Sequence, residues 1–137
     1  MKKQTILIAI IFLLYHSTSL SQENLRFDGY YHTIGDTMDP FRYYLRFYED
    51  GSVIYYCTAG NPATLLKWWS KNDQASLKGK YVVKDSLLSF SVKNKEGEVV
   101  YSGALITGNR LWMKVKSLIN KYEGKEEYFF QKAEGMR

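Results

Sequence analysis

The 137-residue chain carries 19 Lys and Arg residues against 14 Asp and Glu residues, one cysteine, and an aromatic fraction of 16%. Its charges are interleaved rather than gathered into a basic stripe, which argues against nucleic-acid binding. One cysteine excludes an internal disulfide, so packing must stabilise the fold. The twelve tyrosines suit half-buried sheets, in which the ring is buried and the hydroxyl finds a partner.

The N-terminus has the three parts of a secretory signal peptide. Residues 1–3 are cationic, residues 6–14 are apolar, and residues 19–21 supply small side chains before a cleavage point after Ser21. The apolar run is shorter than the roughly 20 residues that span a bilayer. We therefore predict a signal peptide over residues 1–21, rather than an uncleaved anchor, and a single domain over residues 22–137. We expect no membrane span after cleavage and an exported protein, periplasmic or extracellular.

The strongest local signal lies in residues 43–57. Glu49, Asp50 and Gly51 separate two runs of β-branched and aromatic residues, which predicts a hairpin with strands over residues 43–48 and 52–57. Residues 29–34 are an earlier strand candidate, and residues 35–41 are a predicted loop. Both faces of the hairpin carry aromatic rings, so alternation alone does not decide which face points inward.

One helical signal follows the hairpin. Asn61 is a suitable N-cap, and Pro62 suits the first helical position. Within residues 63–69, spacings of three and four place Leu65, Trp68 and Trp69 on one side. We predict a short helix or helical turn at this point in the chain.

Five more strands are predicted over residues 80–84, 87–93, 98–106, 110–116 and 125–131, joined mostly by short turns. Gly103, inside the sixth strand, predicts a bulge or a tight bend. In the last strand Tyr128 and Phe130 share a face, and we assign Glu126 and Glu127 to the solvated surface because lysines lie beside them.

Eight strands with short links predict an all-β fold, an antiparallel meander that closes into a barrel with one short helix after the third strand. Such a barrel is wide enough for side chains or one small ligand. A two-sheet β-sandwich is the alternative, and residues 58–78 are the only connection long enough for its crossover.

The chain resembles the lipocalin-like (calycin-type) barrels, here as the domain of a secreted bacterial protein. The resemblance is carried by the opening Gly29-Tyr30-Tyr31, the Asp50-Gly51 hairpin, the strand start Gly79-Lys80-Tyr81, residues 101–103, and the spacing of the eight strands. It implies non-covalent capture of a small, often apolar molecule inside the barrel.

Residues suited to catalysis are few. His32 is the only histidine outside the predicted signal peptide, and no Gly-x-Ser-x-Gly motif is present. One histidine and one cysteine cannot form a usual zinc site, and Asp36 and Asp39 fit ordinary turn chemistry better than calcium binding. We predict no catalytic residue, no metal site and no cofactor, and a protein that is not an enzyme.

Four residues are the predicted ligand-binding set: Arg46, Tyr55, Trp68 and Trp69. Aromatic rings and an arginine recognise ligands by stacking and by paired hydrogen bonds. The helix could lie across a barrel mouth so that its tryptophans cover a ligand, or they could cap a filled core. The expected function is non-enzymatic binding of a small hydrophobic or amphipathic ligand. The alternative is a protein-interaction module with a filled barrel, an inhibitor or envelope accessory factor whose partner is an envelope protein.

Overall fold

A computed structural model describes residues 24–61, 71–72 and 76–136. Eight strands are present: β1 (Gly29–His32), β2 (Arg42–Phe47), β3 (Ser52–Thr58), β4 (Leu77–Lys84), β5 (Leu87–Asn94), β6 (Gly97–Thr107), β7 (Arg110–Ser117) and β8 (Glu123–Lys132). Each strand pairs antiparallel with the next, and β8 pairs with β1 along four residues, so the sheet closes. The predicted all-β barrel is confirmed, and the sandwich is not formed.

All eight predicted strands occur near their predicted positions, and β4 begins three residues earlier than predicted. The predicted helix and the predicted signal peptide lie outside the described residues and stay predictions. Within the described ranges, no helix is long and apolar enough to cross a membrane.

The hairpin turn forms as its sequence predicts. Gly51 has a φ of +87°, a conformation that residues with a side chain rarely adopt. The Asp50 carboxylate accepts a hydrogen bond from the Ser52 amide at 2.9 Å, which is the turn chemistry that favours aspartate at this position. The β2–β3 register is fixed from Arg42 opposite Thr58 to Phe47 opposite Val53.

Alternation along the strands fills the barrel interior with large apolar side chains. Those that are at most 2% exposed are Tyr31, Leu45, Phe47, Val53, Leu88, Val92, Tyr101, Leu111, Met113 and Tyr128. The rings of Tyr31, Tyr81 and Phe90 each meet the Phe47 ring edge-on, with centroids 5.2–5.6 Å apart. The core therefore lies inside the barrel and is densely aromatic.

One end of the barrel is plugged by the segment that precedes β1. The Tyr31 hydroxyl donates to the Gly108 carbonyl at 2.7 Å and accepts from the Arg26 amide at 2.9 Å. The Arg26 guanidinium lies 4.0 Å from the centroid of the Phe130 ring, and Leu25 is buried. This end, where the β2–β3, β4–β5 and β6–β7 turns lie, is the closed end. The opposite end carries the longer connections and is the open end.

Gly103 serves a close approach between strands rather than a bulge. A Cβ atom at Gly103 would lie 1.9 Å from the Trp112 carbonyl oxygen. The register irregularity between β6 and β7 falls further along, between Leu105 and Thr107. The glycine lets the two backbones approach closely, and the register irregularity lies near the end of β6.

A second apolar cluster covers the outer face of the first three strands. Tyr30, Tyr44, Ile54 and Met136 are each at most 8% exposed, and Ala133 packs against them. The Ala133 amide donates to the Asp28 carbonyl at 3.1 Å. The C-terminal segment is thus folded back onto the wall.

Candidate functional site at the open end of the barrel

A cavity of about 140 Å³ lies inside the open end. For comparison, an engineered cavity of about 150 Å³ accommodates benzene. The lining comes from inward-facing residues of five strands and from the β7–β8 connection: Tyr43, Tyr55, Val99, Tyr101, Val115, Ser117, Asn120, Tyr122 and Glu126. The cavity, which we call the mouth cavity, therefore has the size of a one-ring molecule.

A wider pocket of about 480 Å³, which we call the outer pocket, adjoins the mouth cavity between the β1–β2 connection and strand β8. The two spaces share Tyr43, Tyr122 and Glu126 in their walls. A ligand could therefore enter past these three side chains, with its buried end in the barrel and its other end in solvent.

Stacked tyrosines form one wall of the mouth cavity. The Tyr43 and Tyr55 rings lie 6.2 Å apart at 21°, and Tyr101 stacks on Phe90 at 4.6 Å. Tyr55 reaches Tyr101 across the interior, with ring centroids 6.4 Å apart. Burial raises the pKa of both Tyr55 and Tyr101 far above the ordinary value of 10.0, so both remain neutral phenols at neutral pH.

Glu126 places a carboxylate inside the barrel. It lies in β8 opposite Met113, and the Tyr128 hydroxyl donates to its Oε2 atom. Burial raises the pKa of the Glu126 carboxyl above its ordinary value of 4.5, and the hydrogen bond from Tyr128 opposes that rise. The site thus contains one half-buried acid next to neutral phenols.

The alternation of side chains along β8 is the sequence feature that predicts an inward-facing Glu126. Because side chains alternate along a strand, a strand with Tyr128 and Phe130 inward must also turn Glu126 inward. The flanking lysines suggested a solvated surface, but Lys125 and Glu127 occupy the other face of β8. Glu127 there forms an ion pair with Arg110.

Two of the four predicted ligand-binding residues can be placed, and they lie on opposite sides of the barrel wall. Tyr55 lines the mouth cavity. Arg46 is buried on the outer face, where its guanidinium lies 4.5 Å from the centroid of the Tyr48 ring. The two side chains do not contribute to one interior site. Trp68 and Trp69 lie outside the described residues.

Another pocket, of about 730 Å³, lies next to the closed end, and one of its three acids, Glu49, is exposed to solvent. Its aspartates are already paired, Asp28 with Arg26 at 3.0 Å and Asp50 with Lys71 at 2.5 Å. The mouth cavity combines enclosure with an acid that no base neutralises in the described part of the chain. We therefore assign the candidate site to the mouth cavity.

His32 lies apart from the mouth cavity. Its Nδ1 atom donates to the Thr33 carbonyl at 3.0 Å, and its ring lies about 6 Å from the rings of Tyr30 and Tyr44. Residues 24–61, 71–72 and 76–136 contain no group of three or more His, Cys, Asp or Glu side chains suited to hold a metal ion.

Comparison of the chain with protein-family models, with curated proteins and with solved structures found no match.

Proposed function

We propose that the protein is an exported, non-enzymatic, lipocalin-like binding protein that holds a small amphipathic molecule in the mouth cavity. The observation that carries this proposal is the contrast between the two halves of the barrel. The closed half is filled by side chains, whereas the open half encloses a cavity lined by tyrosines and a carboxylate.

The filled half limits the length of the ligand. Tyr31, Phe47 and Phe90 occupy the space that a long acyl chain would need. The cavity above them accommodates a ring or a short chain, with hydroxyl and carboxylate groups available to its polar atoms. A compact molecule with one apolar and one polar part matches this lining better than a lipid does.

Filling the cavity tests the proposal. Val99 is 7% exposed and lines the cavity, so a Val99→Phe substitution should occupy the ligand's space. Val100, its neighbour on the outer face, is 38% exposed and supplies the matched control Val100→Phe. The probes are phenethylamine, 2-phenylethanol and phenylacetate, each of which has one phenyl ring and a two-carbon side chain.

NMR titration of the purified protein should show at least one probe shifting the methyl signals of Val99 and Val115. The Val99→Phe variant should lose this response, and Val100→Phe should keep it. The proposal is wrong if none of the three probes shifts these signals, or if the folded Val99→Phe variant binds as well as the wild type.

A protein-interaction module is the second candidate, because the open end has an apolar rim. Exposed apolar side chains of the β1–β2 and β7–β8 connections form it: Ile34, Met38, Phe41, Leu118, Ile119 and Tyr122. Met38 is 90% exposed and Ile34 is 72% exposed. Such a concentration of apolar surface favours a binding role for this end of the barrel.

Substitutions can test the role of the rim separately from that of the mouth cavity. An Ile34→Ser, Met38→Ser double variant should lose cross-linking to an envelope protein while it keeps the NMR response to the probe. If the rim variant still cross-links as the wild type does, the interaction module is not supported.

A further inference from the structure

We infer that the mouth cavity selects a small organic cation, for which the Glu126 carboxylate is the counter-ion. The inference rests on the proposed function, because it specifies the class of ligand that the same cavity holds. It goes beyond that function by assigning a charge to the ligand and a role to one residue.

The first step concerns the charge balance at Glu126. Four ion pairs are present among the described residues: Arg26–Asp28, Lys71–Asp50, Arg110–Glu127 and Lys116–Glu123. Glu126 belongs to none of them, and its one hydrogen bond comes from the neutral Tyr128. A half-buried carboxylate without a cation is an unfavourable arrangement that a positively charged ligand would relieve.

The second step concerns the rings around the carboxylate. Tyr43, Tyr55, Tyr101 and Tyr122 line the same cavity as Glu126. The face of an aromatic ring carries negative partial charge, so it attracts an ammonium group and repels an anion. The carboxylate and the rings therefore both favour a positively charged ligand.

The third step concerns the entrance. The charged side chains that the described residues contribute to the outer pocket are four acids and one base, namely Asp36, Asp39, Glu126, Glu127 and Lys125. Hydrogen bonds from the Met38 amide and the Thr37 hydroxyl hold the pKa of Asp36 below its ordinary value, so it stays ionised at neutral pH. Glu127 is paired with Arg110, and the remaining three acids outnumber Lys125, so the entrance favours cations over anions.

Charge selectivity is measurable on the wild-type protein with the three probes. They differ mainly in the polar group of the side chain, which is cationic in phenethylamine, neutral in 2-phenylethanol and anionic in phenylacetate. Calorimetric titration at pH 7.5 should give affinities in that order. We expect the amine to bind about tenfold to a hundredfold more tightly than the alcohol, the range for a hydrogen bond to a charged group.

The Glu126→Gln variant removes the charge and keeps the shape and the ability to accept from Tyr128. It should lose most of the tenfold to hundredfold preference for the amine over the alcohol. The matched control is Glu123→Gln, which removes the same charge from an exposed position of β8 that lines neither the mouth cavity nor the outer pocket. Its preference for the amine should stay close to that of the wild type.

The pH dependence supplies a second readout, with benzyltrimethylammonium as a probe whose charge does not titrate. The titratable groups that face Glu126 across the mouth cavity are Tyr43, Tyr55, Cys57, Tyr101, Tyr122 and Tyr128, and burial raises the pKa of each, so none ionises in the acid range. The carboxylates of the outer pocket, Asp36, Asp39 and Glu127, are common to wild type and Glu126→Gln, so the difference between the two proteins isolates Glu126. As the pH falls, protonation of Glu126 should weaken binding by wild type. Binding by Glu126→Gln should change less.

The outcomes separate the two proposals. If none of the probes binds, the proposed function is wrong. If the alcohol or the acid binds as tightly as the amine, ligand binding stands and the selection of a cation is wrong. The wild-type comparison needs no variant, so it decides the question even if Glu126→Gln does not fold.

Discussion

At the scale of single residues, Glu126 and Glu127 show how adjacent glutamates can acquire different roles. Glu127 faces outward and pairs with Arg110, whereas Glu126 faces the cavity and its pKa is raised by burial. A half-buried acid without a cationic partner is expected to lower stability, a conflict that is common at functional sites.

Replacing Glu126 with Gln should stabilise the empty protein at pH 7. In the folded state the pKa of Glu126 lies above its ordinary value of 4.5, so folded protein retains the proton to a higher pH than the unfolded chain does. The contribution of this group to stability is therefore present at low pH and is lost as the pH rises through the folded-state pKa.

Thermal unfolding should show a higher Tm for Glu126→Gln than for wild type at pH 7, and a difference that shrinks toward pH 4. The Glu127→Gln control loses an exposed ion pair and should change stability by less than about 1 kcal/mol. A Tm for Glu126→Gln at or below that of wild type at pH 7 would contradict the assignment.

The contribution of the Tyr31 hydroxyl to the stability of the fold can also be measured by substitution. A Tyr31→Phe substitution removes the two hydrogen bonds that the hydroxyl makes, to the Gly108 carbonyl and from the Arg26 amide, which should cost about 1–3 kcal/mol. Urea unfolding at pH 8 measures this loss. Tyr122→Phe is a suitable control because Tyr122 is 45% exposed.

Alkaline pH gives an independent check on Tyr31. Burial raises its pKa from 10.0 to about 12, so its contribution to stability is complete below pH 10 and is lost as the pH rises toward 12. The stability difference between wild type and Tyr31→Phe should therefore narrow above pH 10. A constant difference would mean that the hydroxyl is not buried at the closed end.

At the scale of strands, Gly103 marks the closest approach within the β6–β7 pair. A Gly103→Ala substitution would bring its Cβ to 1.9 Å from the Trp112 carbonyl, so the strands must move apart. Overpacking of this kind costs about 1–3 kcal/mol. Urea unfolding should show that loss, with little change in Ser102→Ala, an exposed neighbour in the same strand. A Gly103→Ala variant of wild-type stability would contradict this role.

The strands were predictable because their signals are local. Alternation, the Asp50-Gly51 turn and the glycines between apolar runs need no knowledge of the rest of the fold. The inward face of the first hairpin was not predictable, because both faces are covered. Met136, remote in sequence, packs against Tyr44 and Ile54 on the outer face.

The candidate site was predictable only in part. Tyr55 was predicted because aromatic residues mark pockets, and it lines the mouth cavity. Glu126, which lines the same cavity, was assigned to the surface because the neighbouring lysines outweighed the alternation of β8. Arg46 was grouped with Tyr55 by composition, although a period of two and the register place them on opposite faces of the wall. Gly103 was predicted to form a bulge or a tight bend, because a glycine inside a strand does not by itself distinguish these from a close approach of two backbones.

At the scale of the whole molecule, the barrel carries a second layer on one side. Met136 is 2% exposed and packs with Tyr30, Tyr44 and Ile54 outside the sheet. A Met136→Ala substitution should therefore destabilise the protein by about 2 kcal/mol, near the low end for a large-to-small change in a core. Chemical unfolding measures the loss, and the exposed Glu134→Ala is the control. Equal stability of the two variants would show that the C-terminal segment does not cover the wall.

The pairing of β1 with β8 has a consequence for how the protein folds. Every other strand pair joins neighbours in the sequence, whereas this pair brings Gly29 next to Lys132. The chain can form a curved, open sheet early, but closure must await the last strand and bears the entropic cost of a long loop. Until then β1 and β7 each have a free edge, and the intermediate is prone to aggregation. Glu126 lies in β8, so the step that closes the barrel also places the acid in the mouth cavity.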